Sequence, residues 1–128
     1  MSNPDYLLYT EDHEWAHVEG DLVTVGITEH AQDSLGDVVF VELPELDQEL
    51  GGGDSLGVVE SVKAVSDLYS PCEGIVVEVN DRLNDEPELV NSDPYGDGWV
   101  LKLKIENTDT LSHLMSAEAY EEYLASES

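Results

Sequence analysis

Val59-Glu60-Ser61-Val62-Lys63-Ala64-Val65-Ser66-Asp67 lies where two strand-like arms meet, Asp54 to Ser61 and Val65 to Tyr69. Valines recur in both arms, and Val62-Lys63-Ala64 between them is short enough for a tight hairpin connection. A hairpin tip projects its side chain into solvent from a fixed scaffold, so Lys63 would be a free amine on a rigid mount. A turn lysine is more often an ordinary solvated side chain, and spacing alone does not exclude that reading. Cations are nevertheless rare here: the 128 residues hold 4 Lys and Arg against 30 Asp and Glu, a formal net charge of −26.

Working outward, the pattern is mostly β. His13 to Val18 and Leu22 to Ile27 flank Glu19-Gly20-Asp21, a turn signal, and Val23, Val25 and Ile27 share one face by the two-residue period. Thr28 is placed to N-cap a short turn or helix reaching Leu35, with Gly36 as its terminating glycine. Asp37 to Leu43 reads as a strand stopped by Pro44. Leu46 to Leu50 leads into the turn Gly51-Gly52-Gly53. Glu73 to Val79 and Gly98 to Glu106 complete the strands. In the last, Trp99, Leu101, Leu103 and Ile105 are expected on one face, and Lys102, Lys104 and Glu106 on the other. Pro87 is placed to open a helical turn. Leu111, Leu114 and Met115, then Tyr120, Tyr123 and Leu124, follow helical spacing, so a C-terminal helix is expected over about 116–125. Many short strands separated by turns suggest a sandwich or flattened barrel.

Composition narrows the function classes. One domain with one core suits this length. No apolar run approaches the roughly 20 residues of a membrane span. Met1-Ser2-Asn3-Pro4-Asp5 shows no basic flank or apolar leader, so a cytoplasmic chain is expected. The single cysteine, Cys72, excludes an internal disulfide framework and reads as a structural thiol. Without a basic patch there is no nucleic-acid surface. Acidity spread evenly over a chain with aliphatic strands is unlike a disordered acidic tail. It suggests a salt-accumulating halophile, whose surface repulsion is screened in brine; an acidic module with a basic partner is the alternative.

Three lookalikes fail on geometry or spacing. His13-Glu14-Trp15-Ala16-His17 spells the zinc signature H-E-x-x-H, which works only on a helix. On a strand, four residues separate the two histidines by roughly 13 Å, too far for one zinc ion. Gly51-Gly52-Gly53-Asp54-Ser55 lacks the lysine of a phosphate loop. Asp93 and Asp97 do not have EF-hand spacing. No metal site is expected.

Glu60-Ser61-Val62-Lys63-Ala64, followed by Ser66-Asp67 and Ser70-Pro71, resembles the lipoylation motif of the glycine cleavage H-protein family. His13-Glu14-Trp15, Gly26-Ile27-Thr28, His30-Ala31-Gln32-Asp33, Leu35-Gly36, Val38 to Pro44, Glu78-Val79-Asn80, Asn91-Ser92, Pro94-Tyr95 and Asp97-Gly98-Trp99 also look like that family. The resemblance therefore covers nearly the whole chain. It implies a mainly β, barrel-sandwich hybrid of the lipoyl/biotinyl-domain type, with short helices and a C-terminal helix. It implies a single lipoyl-carrier domain over residues 1–128, with the lipoyl hairpin around 54–70.

The same resemblance implies lipoic acid in amide linkage on Lys63, forming N6-lipoyllysine, on a non-catalytic, monomeric carrier. The partners implied are a pyridoxal-phosphate glycine decarboxylase, an aminomethyltransferase, a dihydrolipoyl dehydrogenase, and a lipoate ligase or lipoyltransferase; no membrane is involved. The carrier would move the aminomethyl group of glycine from the first to the second and be reoxidised by the third. It further implies an arm-docking cleft at Asp12, His13, Glu14, Ser34 and Asp67, with Glu14 and Asp67 as acids facing a cationic cargo. Two positions depart from the family pattern: serine is common where Asp12 stands, and histidine where Ser34 stands. Nearby alternatives are a 2-oxo acid dehydrogenase lipoyl domain, a biotin carrier (which prefers methionines beside its lysine) and a lipoate relay. A small enzyme using His13 and Glu14 is a further one.

Overall fold

The structure is a computed structural model that describes residues 4–127. Nine strands run in chain order: β1 (Leu8–Tyr9), β2 (Glu14–Glu19), β3 (Leu22–Ile27), β4 (Val38–Glu42), β5 (Glu49–Leu50), β6 (Ser55–Ser61), β7 (Val65–Tyr69), β8 (Gly74–Val79) and β9 (Leu101–Lys104). The helices are α1 (Glu29–Leu35), α2 (Arg82–Asp85), α3 (Leu89–Ser92) and α4 (Ala117–Glu127), with a 3₁₀ turn over Thr108–Leu111.

All strand pairs are antiparallel and form two sheets. Six strands lie in the order β1-β2-β3-β9-β8-β5, and three in the order β4-β6-β7. Alternation in β3 and β9, and irregular strands β4 and β6 whose buried residues fall three apart, let the sheets close on each other. Val23 and Val25 of β3, Val76 of β8 and Leu101 and Leu103 of β9 point inward from the large sheet. Val41 of β4, Leu56 and Val59 of β6 and Leu68 of β7 point inward from the small one, and all belong to one core. Each such side chain contributes about 1.5–3 kcal/mol by leaving water. The arrangement is the mainly β, two-layered fold with short helices that the sequence implies.

A second, smaller core seats the C-terminal helix. Leu7, Tyr9, Trp15, Ala117 and Tyr120 pack together, so α4 covers the side of β1 and β2 away from the main core. Gly26 makes room for this: a Cβ there would lie 2.5 Å from the Trp15 ring.

Several expectations are met closely. Glu19 pairs with Leu22 around Gly20, which takes a φ of 66°. Thr28 Oγ1 accepts the amide hydrogen of Ala31 at 3.2 Å, capping α1, and Gly36 ends it at a φ of 77°. H-E-x-x-H does lie along a strand, except that His13 stands just before β2 in a left-handed turn, at a φ of 69°.

Other expectations need correction. Trp99 does not share the inward face of Leu101 and Leu103. Val100 is the buried neighbour, and Trp99 lies half-buried under the Lys102 ammonium, 5.2 Å from the ring centroid. The reason is the turn before it, where the Trp99 amide donates to Gly96, so the two-residue period starts only with β9. Met115 is not helical; it bridges to Tyr9 as an extended residue. The strand β1 and the helix α2 had no sequence signal, whereas Pro87 does open a helical turn: its carbonyl accepts the Val90 amide at 3.2 Å, just ahead of α3.

Candidate functional site

The hairpin of β6 and β7 turns on Ser61. Its amide donates to the Ala64 carbonyl at 2.8 Å, and its Oγ accepts the amides of Lys63 and Ala64 at 3.2 and 3.1 Å. One serine thus satisfies the donors that a tight turn would otherwise leave to water. Lys63 is left exposed at the tip and makes no ion pair among the described residues. Another of the four cations, Arg82, is paired with Glu86 and Asp97.

The tip is moored as well as turned. The Val62 amide donates to the Asp37 carbonyl at 3.0 Å. Asn91 of α3 clamps the residues on either side of Asp37: its Oδ1 accepts the Val38 amide at 2.8 Å, and its Nδ2 donates to the Gly36 carbonyl at 2.8 Å. The same Nδ2 reaches Gln32 Oε1 at 3.1 Å. The Lys63 methylenes run over Gly36, where a Cβ would sit 3.1 Å from Cε. A positive φ and a lysine stem overhead both favour glycine there. Asn91 and Gly36 were present in the family-like segments, but only the folded chain shows what they hold.

The loop before β2 and the start of that strand hold the expected acids Asp12 and Glu14. Thr10 accepts the amides of Asp12 and Glu14 through its Oγ1, at 3.2 and 3.1 Å, and donates to Glu14 Oε1 at 2.8 Å. Glu14 Oε2 accepts the Tyr69 amide at 3.3 Å, so its carboxylate ties β2 to the end of β7. Glu14 is 2% exposed. Burial pushes its pKa up to about 7, against the two hydrogen bonds, which favour the ion; the charge of Asp12 adds to the rise.

The other candidates fall on three neighbouring segments. Asp12 is exposed, and His13 is half-buried with its ring 4.5 Å from His30. Asp67 is exposed on β7, two residues before Tyr69. Ser34 is exposed in the last turn of α1, two residues before Gly36. Cys72 is fully buried, and burial raises its thiol to about 11, as befits a packing residue.

Four of the seven large apolar side chains exposed among the described residues cluster near the tip: Val39, Phe40, Val62 and Val65. Phe40 and Val65 both pair with Glu60, so they share one sheet face. Among the described residues no group of three or more His, Cys, Asp or Glu is arranged for a metal ion. No helix among them is long and apolar enough to cross a membrane.

Comparison with known proteins adds a second line. The family described as "Glycine cleavage H-protein" matches residues 7–127. A "Probable glycine cleavage system H protein" of Haloarcula marismortui is 55% identical over 121 residues, 94% of this chain and 95% of that one. A "Glycine cleavage system H protein" of Symbiobacterium thermophilum is 57% identical over 124 residues, 96% of this chain and 97% of that one. The crystal structure of a glycine cleavage system H protein from Mycobacterium marinum superposes with a TM-score of 0.86 at 40% identity, covering 98% of each chain.

Proposed function

The chain belongs to the glycine cleavage H-protein family, and from that premise we propose that it is a single lipoyl-carrier unit whose arm is attached to Lys63. It is a carrier component and not itself a catalyst. The observation that carries the reading is the mount of Lys63. An exposed amine stands on a turn closed by Ser61, and the turn is fastened to the Gly36–Val38 segment. Gly36 leaves the lysine stem a bed that a methyl group would obstruct.

The residues present fit a lipoyl group. The amine is open to acylation, and acylation removes a charge that no ion pair among the described residues uses. When bound, the group supplies the disulfide–dithiol couple that carries an aminomethyl unit from the glycine decarboxylase to the aminomethyltransferase and is reoxidised by dihydrolipoyl dehydrogenase. A lipoate ligase or lipoyltransferase would attach it. The chain's own part is positioning. Ser61, Asp37 and Asn91 fix where the arm is rooted. Glu14, once ionised, and Asp67 would give the cleft a negative side where a cationic amine is held and water is displaced; the cation itself favours the ionised form of Glu14. Asp12, His13 and Ser34 are assigned to its rim as part of the same proposal. The apolar patch of Val39, Phe40, Val62 and Val65 suits partner contact at high salt, where charge steering is screened. A cytoplasmic monomer fits this work.

Lys63→Arg tests the reading in a reconstituted glycine–bicarbonate exchange assay. Exchange should fall to background while the circular dichroism stays native, because an exposed turn lysine contributes little packing. Exchange retained by the variant would refute the assignment.

A further inference from the structure

His13 and Asp47 are the two non-glycine residues with positive φ among those described, and His13 stands at 69°. A histidine keeps that conformation only when its surroundings fix it. Its amide donates to the Thr10 carbonyl at 3.1 Å, and its carbonyl accepts the Thr28 amide at 3.0 Å. Its ring Nδ1 lies 2.7 Å from the Tyr120 hydroxyl. That hydroxyl lies 2.9 Å from Thr28 Oγ1 as well.

Tyr120 is fully buried, and its ring lies parallel on Tyr9, centroids 4.7 Å apart and planes 8° apart. Thr28 Oγ1 already accepts the Ala31 amide, so its own proton is available to the Tyr120 oxygen, and the Tyr120 proton to His13. One hydroxyl on α4 therefore joins two elements. On one side is the loop whose next residue is Glu14; on the other is the cap of α1, whose far end is Gly36 beneath Lys63.

We infer that Tyr120 is a positioning residue for the arm cleft: its buried hydroxyl, set between His13 and Thr28, holds the Glu14 wall in register with the helix that supports Lys63. The inference rests on the reading of Glu14 as a wall of that cleft. It gives the C-terminal helix a part in the carrier's function beyond closing the second core.

Tyr120→Phe removes the hydroxyl and keeps the stacked ring. In the unlipoylated variant, the titration midpoint of Glu14, followed by isotope-edited carboxyl infrared spectroscopy, should move down toward the ordinary glutamate range as the wall relaxes into water. In the lipoylated variant, the aminomethyl cargo should be lost about fivefold faster, the factor one hydrogen bond commonly carries. Thr28→Ser preserves the hydroxyl chain and should keep both values at wild type.

A purely structural role for Tyr120 would lower the melting temperature and leave the Glu14 midpoint and cargo lifetime unchanged below the transition; that result would overturn the inference. Glu14→Gln separates the two readings. If it leaves the cargo lifetime unchanged, the cleft reading fails, and with it the inference that builds on it. If it shortens the lifetime while Tyr120→Phe does not, the inference alone fails.

Discussion

The stem of Lys63 lies directly over Gly36, with its Cε 3.1 Å from where a Cβ would stand on that residue. Gly36 ends α1 at a φ of 77°, a conformation that L side chains adopt reluctantly. Gly36→Ala should cost about 1 kcal/mol, chiefly through the backbone, since the lysine chain can swing aside. Urea denaturation reads the cost, and lipoate ligase should still modify the displaced lysine. A variant as stable as the parent would show that the segment relaxes without strain.

Glu14 gives the fold a pH dependence of a definite sign. Its folded pKa, about 7, lies above the ordinary 4.5, so the fold binds that proton more tightly than the unfolded chain does. The resulting stabilisation is complete below pH 4.5, fades as the pH rises, and is gone above about 7, a loss on the order of 3 kcal/mol. Glu14→Gln removes this dependence. Gln offers one acceptor oxygen where the Thr10 hydroxyl and Tyr69 amide use two, so it should add a constant cost at every pH. The difference in unfolding free energy between parent and variant, measured from pH 4 to 8, should therefore change across that window. A flat difference would contradict the account.

The charge of −26 makes salt a stabiliser. At low ionic strength the acidic surface repels itself, and near 1 M salt the Debye length contracts to about 3 Å. The melting temperature should rise by on the order of 10 °C between about 0.1 M and about 3 M KCl. A melting temperature indifferent to salt would remove the case for halophilic adaptation, which rests on that charge.

Cys72 should be inert in the native state. It is fully buried, and desolvation raises its thiol to about 11, so little thiolate forms at neutral pH. Ellman's reagent should titrate no thiol in the folded protein and one after unfolding in guanidinium chloride. Prompt labelling of the native chain would show that the site opens.

What was legible in the sequence is what short-range chemistry dictates. The alternating valines of β3, the Gly20 turn, the Thr28 cap and the hairpin around Lys63 all follow from spacing and residue type. The family-like motif then singled out Lys63, which periodicity alone could not do. The remainder depends on partners far apart in the chain. A two-residue strand such as β1 has no period to detect, and it exists because Tyr9 pairs with Trp15 and bridges to Met115. Trp99 fell outside the expected face because a turn anchored at Gly96 resets the alternation. Asn91 grips Gly36 from 55 positions away, and Tyr120 meets His13 across 107. No local pattern announces either contact.

The central claim is that Lys63 bears a lipoyl group, and peptide-resolved mass spectrometry of the protein isolated from its own cells, grown on glycine, tests it most directly. The account predicts a lipoyl increment on the peptide containing Glu60-Ser61-Val62-Lys63-Ala64. An unmodified Lys63 in cells actively degrading glycine, or a biotinyl increment in its place, would contradict it.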